Sequence, residues 1–342
     1  MAHMIDSMMY VGDKPWHGLG IALENPPSVE EALVASGLGW EVEKLPTYFH
    51  IKENDEYGVS NYIPTNYFVT IRKDTGQVLG NVGKKYEILQ NKDAFKPFDV
   101  IIDWGFEIET AGSIDDGKKV WVLAKSPDTF KVGDDKILDY ILLYTSHDGS
   151  SGNCFRDVKV RVVCNNTLNI ALKGFKTLEY KLRHTASINS RINELVDKLD
   201  ERKGNVREAI DSMNRFNDMP MNDDLLDVYF ESVMPFLKNR DNKSAPEIGY
   251  YTRNKAKPIY DKLNMLYHTG SGNKGETLWD AYNSITEYYD HHYNHRGDWV
   301  KSTQFGSAHN TKVRAFSIAE KMSERYIKST YVGKIKSIIG KS

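Results

Sequence analysis

Three groups of side chains in this sequence are of types that can do chemistry. The largest is cationic. Between Cys154 and Arg191 the chain places Arg156, Lys159, Arg161, Lys173, Lys176, Lys181, Arg183 and Arg191 against two acids, Asp157 and Glu179. Val158, Val160 and Val162 alternate with Lys159 and Arg161, the period-2 pattern of a strand with one apolar and one basic face. A basic face of this kind holds phosphates when it is free, although a solvated strand gives the same pattern. Phe155, Phe175 and Tyr180 interleave with the cations. Unpaired bases stack on such rings while the cations follow the backbone, whereas each ring alone reads as ordinary core. The expected nucleic-acid contacts are Arg156, Lys159, Arg161, Lys173, Lys176, Lys181 and Arg183, with Asn165 and Asn166 shaping the turn.

The second group is Asp290-His291-His292-Tyr293-Asn294-His295. On an α-helix His291 and His295 share one face and suit zinc. His292 points elsewhere, so Glu287 would have to supply a third ligand, and no His-Glu-x-x-His occurs. An aromatic-flanked helix end is the plainer reading, and neither metal nor cofactor is assigned. The third group, Ser146-His147-Asp148, sets a base between a hydroxyl and a carboxylate. Sequence neighbours on a strand point to opposite faces, which disfavours a triad. The alternative is a turn at Asp148-Gly149 in which Ser150, Ser151 and Gly152 offer N–H groups to a phosphate. Pro15-Trp16-His17-Gly18-Leu19-Gly20 forms a glycine turn anchored by Trp16, with too few glycines for a phosphate loop. His17 reads as a structural histidine.

The elements that must position these residues fall into two regimes. From Trp40 to Arg161 the signals are strands and turns: Tyr67–Arg72 and Gln77–Gly83 flank one hairpin turn, Phe106–Thr110 and Lys119–Ala124 flank a second at Asp115-Asp116-Gly117, and Tyr140–Thr145 is apolar throughout. Ser28 opens a short helix with a capping box that Gly37 closes, and Asn91 caps another toward Asp103, in which Pro97 sits too far inside for comfort. Asn165-Asn166-Thr167 reads as the start of a helix over Leu168–Leu172 that stops at Gly174. From about residue 186 helical periodicity takes over, through 188–199, 205–217, 223–237, 258–267, 277–293 and 312–328. The expected fold is α+β: an antiparallel-rich sheet of hairpins with a crossing helix in residues 1–185, then a mainly helical domain in 186–342.

Composition sets the outer limits. The 342 residues carry a net charge of -2, and a mean hydropathy of -0.53 marks a soluble globular chain. No run of 18 apolar residues exists and no leader peptide is evident, so no membrane contact and a cytoplasmic setting are expected. The two cysteines, Cys154 and Cys164, read as reduced structural thiols. Charge is divided unevenly: residues 151–342 hold 31 Lys and Arg against 23 acids, and residues 1–150 hold 14 against 24. The second half is the one that faces an anion.

Several segments together resemble the phage/plasmid-like family of unknown function, domain of unknown function 932. They are Pro15–Gly20, Glu109-Thr110-Ala111-Gly112-Ser113, Ser146–Ser150, Arg161–Leu168, Arg183-His184-Thr185, Thr277–Asn283 and the Phe305-Gly306 and Lys312–Ala315 end. The resemblance covers residues 10 to about 320 and implies a setting of mobile elements, hence DNA metabolism or defence. At the level of fold alone, the hairpin–helix–hairpin order is similar to Rad52-type single-strand annealing proteins. The function expected is that of a non-enzymatic DNA-binding protein that prefers single strands, promotes annealing or recombination, and self-associates through an open sheet edge. Two other classes stay open: a metal-dependent nuclease or phosphoesterase using Asp290, His291 and His295 with Asp148 or His147, and an anti-defence protein that binds a host factor.

Overall fold

Strand alternation between residues 5 and 161 resolves into two sheets. The computed structural model describes residues 5–12, 18–52, 60–161, 166–168, 179–185, 191, 202–240, 249–294, 302 and 306–339. Strands β1 (Ile5–Val11), β2 (Ile21–Leu23), β6 (Glu107–Ile114), β7 (Lys119–Val132), β8 (Asp135–Ser146), β9 (Asn153–Arg161) and β10 (Asn166–Leu168) form one sheet in the order β10-β9-β8-β7-β6-β1-β2. A further strand, β11 (Glu179–Leu182), also pairs with β9. Among the described registers of this sheet, β1–β2 is parallel and the others are antiparallel. The second sheet is the three-stranded antiparallel ribbon β3 (Val42–Lys52), β4 (Ser60–Arg72) and β5 (Val78–Gly83). The fold is α+β, as the pattern of the sequence required.

The chain divides into two compact units. Unit 1 holds residues 1–127, 140–157 and 178–202; unit 2 holds 128–139, 158–177 and 203–342. The long strands β7, β8 and β9 therefore contribute to both. The core of unit 1 gathers Met9, Leu38, Leu89, Phe95, Phe98, Val122, Leu143 and Phe155. Helix α1 (Val29–Ala35) opens with the expected capping box between Ser28 and Glu31. The expected helix from Asn91 to Asp103 is in fact two, α2 (Asn91–Phe95) and α3 (Pro97–Asp103). Pro97 stands in the first turn of α3, where its missing N–H costs nothing.

Unit 2 is built on helices α4 (Arg202–Asn217), α5 (Asp223–Val233), α6 (Gly249–Thr269), α7 (Leu278–Glu287) and α8 (Ser307–Ile339). Its core joins Val132 and Ile137 of the β7–β8 hairpin to Phe216, Tyr229, Phe230, Trp279, Tyr282 and Phe316. Every residue of α7 is buried. Its start is a capping box: Thr277 accepts from the Asp280 N–H, and the Asp280 carboxylate takes the N–H groups of Glu276 and Thr277 at 3.1 Å each. The helix then widens into a π-helical turn at Tyr288–His292.

One element departs from its expectation. Asn166–Leu168 is a strand, paired antiparallel with Arg161, Val160 and Lys159, and does not begin a helix. The asparagines lose their capping role because this backbone is taken up by the edge of β9. The expected helices over 169–174 and 188–199 lie outside the described residues, apart from Arg191, which is helical.

Candidate functional site

The basic strand was expected to show an outward cationic face, and two of its members do not provide one. On β9 both faces are covered: Val158 is 3% exposed and Lys159 1%. The Lys159 ammonium pairs with the Asp139 carboxylate of β8 at 2.5 Å, with both side chains 2% exposed or less. Arg156 is also buried. The period-2 pattern foretold the strand correctly, but it cannot tell a second apolar layer from solvent. Phe155 is buried and stacks on Phe98, with centroids 6.1 Å apart, so it is core and not a base platform. Of the remaining predicted contacts, Arg183 is exposed. Arg161, Asn166 and Lys181 are placed by backbone only, and Asn165, Lys173 and Lys176, with the rings Phe175 and Tyr180, lie outside the residues whose side chains are described.

Around His147 and His184 the fold assembles a group that no sequence spacing announced. His147 is fully buried. Its Nε2 lies 2.8 Å from Asn91 Oδ1, which as an amide oxygen accepts, while Asn91 Nδ2 donates to the Leu38 carbonyl. The main chain of His147 is held as well, its N–H by Lys118 and its carbonyl by the Thr70 hydroxyl. His184 lies 3.1 Å from the Glu87 carbonyl through Nδ1 and stacks on Tyr86, whose hydroxyl donates to the Ser146 carbonyl. Burial pushes His147 down to about 3, with His184 adding to the depression, and burial also lowers His184. Both imidazoles are therefore neutral and structural. A hydrolytic triad at Ser146-His147-Asp148 is not formed: Ser146 Oγ donates to the Ser151 carbonyl, and Asp148 accepts the Ser150 N–H. The Ser151 N–H is turned back onto Ser146 Oγ, so the loop spends two of the N–H groups proposed for a phosphate on itself.

This histidine joint carries a consequence at the surface. The turn after β5 contains the exposed Lys84 and Lys85, and its next residues, Tyr86 and Glu87, bind the Arg183–His184 segment: the Glu87 N–H donates to the His184 carbonyl at 3.1 Å. Arg183 is thereby brought to the same turn. The Lys44 ammonium secures the turn from below through the Lys84 and Tyr86 carbonyls. Tyr67, 65% exposed, stands opposite Gly83 across the sheet, and a Cβ at Gly83 would meet nothing within 4 Å. Lys84, Lys85 and Arg183 are thus exposed on and beside this turn, with Glu87 in it and Asp148 near enough to act on Tyr86. Sequence reading passed over Lys84 and Lys85 because they lie in the acidic half. The available signal was a basic pair at a strand end.

The remaining candidates resolve into structure. His291 is exposed, the π-helical turn ends at His292 and Tyr293 is extended, so His291 does not continue into an α-helical face that would include His295, itself outside the described residues. Glu287, the suggested third ligand, is buried and accepts the Ser271 N–H. No group of three or more metal-ligating side chains occurs among the described residues. Asp290 forms a buried pair with Lys312 at 2.6 Å. In unit 2 a cleft of ≈ 350 Å³ lies beside Gly133, Asp134, Lys274 and Trp279, and three of its four acids are engaged: Asp135 accepts the Trp279 indole N–H at 2.7 Å, Lys274 pairs with Asp134, and Asp280 caps α7. Cys154 is buried; Trp16, His17 and Cys164 lie outside the described residues. No helix among the described residues is long and apolar enough to cross a membrane.

The antiparallel-rich sheets and the helical C-terminal half define an α+β protein. Residues 78–316 match the family model described as "Domain of unknown function (DUF932)", and the chain belongs to that family. No curated protein and no solved structure matches it.

Proposed function

We propose that this protein binds nucleic acid, single-stranded DNA in preference to duplex, through the turn after β5 and not through the face of β9. The observation that carries the reading is the convergence of exposed Lys84, Lys85 and Arg183 beside the open ring of Tyr67. Cations on flexible stems follow a phosphate backbone, and a ring with one free face takes an unpaired base. A role in annealing or recombination on a phage or plasmid fits this chemistry and the setting that the resemblance implies.

The test is fluorescence polarisation with a labelled single strand and the matching duplex across a salt series. Wild type is expected to bind the single strand more tightly, with log K falling by about 0.7 per neutralised phosphate and decade of salt. The triple variant Lys84→Glu, Lys85→Glu, Arg183→Glu changes only exposed groups. It is expected to lose about 100-fold in affinity and about two contacts' worth of salt slope. Binding unchanged in a folded triple variant, or none by wild type at low salt, defeats the reading. Chelator-sensitive nicking of the same DNA would move the protein to the nuclease class.

A further inference from the structure

Successive residues of a strand point to opposite faces, and residues directly opposite one another in an antiparallel pair share a face. The β3–β4 register sets Lys44, Tyr48, His50 and Lys52 on one side of the ribbon, with Phe68 and Tyr62 beside them. Two contacts agree with that register. The Lys44 ammonium lies 5.1 Å from the centre of the Phe68 ring, and the His50 and Tyr62 rings stack at 4.9 Å. Charge is sorted by the same alternation. Lys44, Lys52 and Arg72 are the lysines and arginines of the two strands, and all three take this side. Glu43, their one acid, takes the other, together with Phe49 and Ile63. The inner part of the basic side is covered, since Val42 and Thr70 are buried, but further out Tyr48 is 53% exposed and Tyr62 66%. The turn after β5 folds over this same side, because Lys44 donates to the Lys84 and Tyr86 carbonyls. The basic turn and the open rings thus follow one another along one side of the ribbon.

We propose that this aromatic shelf takes unpaired bases of the single strand whose phosphates the turn holds, an inference that rests on the reading above and extends its footprint. A ring with a free face stacks any base while neighbouring cations follow the backbone. His50 and Tyr62 already form a two-ring stack, which a base on the outer face would lengthen. Sidedness is what favours nucleic acid over a protein partner. Phe49 and Ile63 give the other side exposed apolar groups as well, but the lysines stand only on the side of Tyr48 and Tyr62. From Lys44 to His50 the shelf runs six residues, roughly 20 Å at about 3.3 Å each. That is the scale of a short footprint of about four nucleotides. Residues 53–59, which join the strands in sequence, include Glu53, Asp55 and Glu56 and no lysine or arginine. Phosphates are repelled from that end, so the bound strand runs between Tyr62 and the turn and not beyond Tyr62. Tyr67 stands on the other side, opposite Gly83, so the shelf is a platform separate from it. Both strands precede residues 78–316, and the family match assigns them nothing.

The experiment is fluorescence polarisation of a labelled oligothymidylate of about 16 nucleotides on the full chain. The double variant Tyr48→Ala, Tyr62→Ala is compared with wild type and with Phe49→Ala, Ile63→Ala on the opposite side, thermal unfolding showing that each is folded. The first variant is expected to lose about 10-fold in affinity for each ring, about 100-fold together. Its salt dependence should match wild type, because no phosphate contact is removed. The opposite-side variant is expected to bind as wild type does. A folded Tyr48→Ala, Tyr62→Ala protein that binds as tightly as wild type overturns the proposal and leaves the shelf to a protein partner. If the triple variant at Lys84, Lys85 and Arg183 loses binding in that case, the turn reading stands without the shelf. Equal losses in the two double variants also overturn the proposal, since sidedness would then not matter. Wild type that binds no single strand defeats both readings together. Should the first variant fail to fold, Tyr62→Leu keeps apolar bulk without an aromatic face. It is expected to lose about 10-fold, and full affinity in it overturns the proposal.

Discussion

Replacing Lys159 by methionine separates two accounts of the basic strand. If Lys159 contacts phosphate, Lys159→Met weakens DNA binding and leaves stability alone. The structure requires the opposite, because its ammonium meets Asp139 at 2.5 Å with both groups shut from solvent. Removing one member of a buried pair strands the other charge and costs about 3–5 kcal/mol. At roughly 2–4 °C per kcal/mol for a domain of this size, the unfolding midpoint falls by roughly 6–20 °C. The double variant Lys159→Met, Asp139→Leu removes the stranded carboxylate and recovers most of that loss, since apolar replacement of a whole buried pair is often neutral. Differential scanning fluorimetry gives the midpoints, and polarisation on the folded fraction gives DNA affinity per native molecule. A Lys159→Met protein with an unchanged midpoint and weakened DNA binding would refute the buried-pair account. The same reasoning warns against Lys159→Glu as a binding test: it sets two carboxylates together in the interior and unfolds the protein whatever its ligand.

Further outcomes follow from the histidine joint and the α7 cap. His147 is held neutral well below its ordinary value, near 3, while in the unfolded chain it takes up a proton near 6.5. Stability from this exclusion is complete above about pH 6.5 and is lost as pH falls toward 3, by about 1.4 kcal/mol per pH unit. Urea unfolding at pH 7 and pH 5 should therefore differ by about 2 kcal/mol from His147, more with His184. The variant His147→Gln should show a shallower dependence, and an identical slope would count against the assignment. At the start of α7, Asp280→Ala removes the acceptor of three backbone N–H groups and is expected to cost about 2 kcal/mol in chemical denaturation. A loss within the scatter of surface substitutions would mean that the cap is replaceable by water.

Much of the architecture was legible from local chemistry. The capping box at Ser28, the turn at Asp115-Asp116-Gly117 and the strand from Val158 are each written in a few adjacent residues, and each occurs where those residues stand. What escaped was decided by partners distant in sequence. Lys159 looks solvated until Asp139 is seen across the β8–β9 pair, and Asn166 looks like a cap until β9 offers its edge. The distal half of β3 shows no apolar alternation to read, and its residues Tyr48 and Phe49, on opposite faces, are both exposed. His147 and His184 meet only through the fold, and with them the surface cluster at Lys84, Lys85 and Arg183.

The interleaving of the two units has a consequence for biosynthesis. Val132 and Ile137 lie in the core of unit 2, and Asp139 binds Lys159 there, yet all are made long before α4 to α8. No cut between neighbouring residues yields two self-sufficient pieces. A fragment starting at Lys203 would lack those two apolar side chains, and one ending there would carry them uncovered. The early strands must wait with their distal ends unfinished until α4 to α8 have been made, so the second unit closes only after α8 is available.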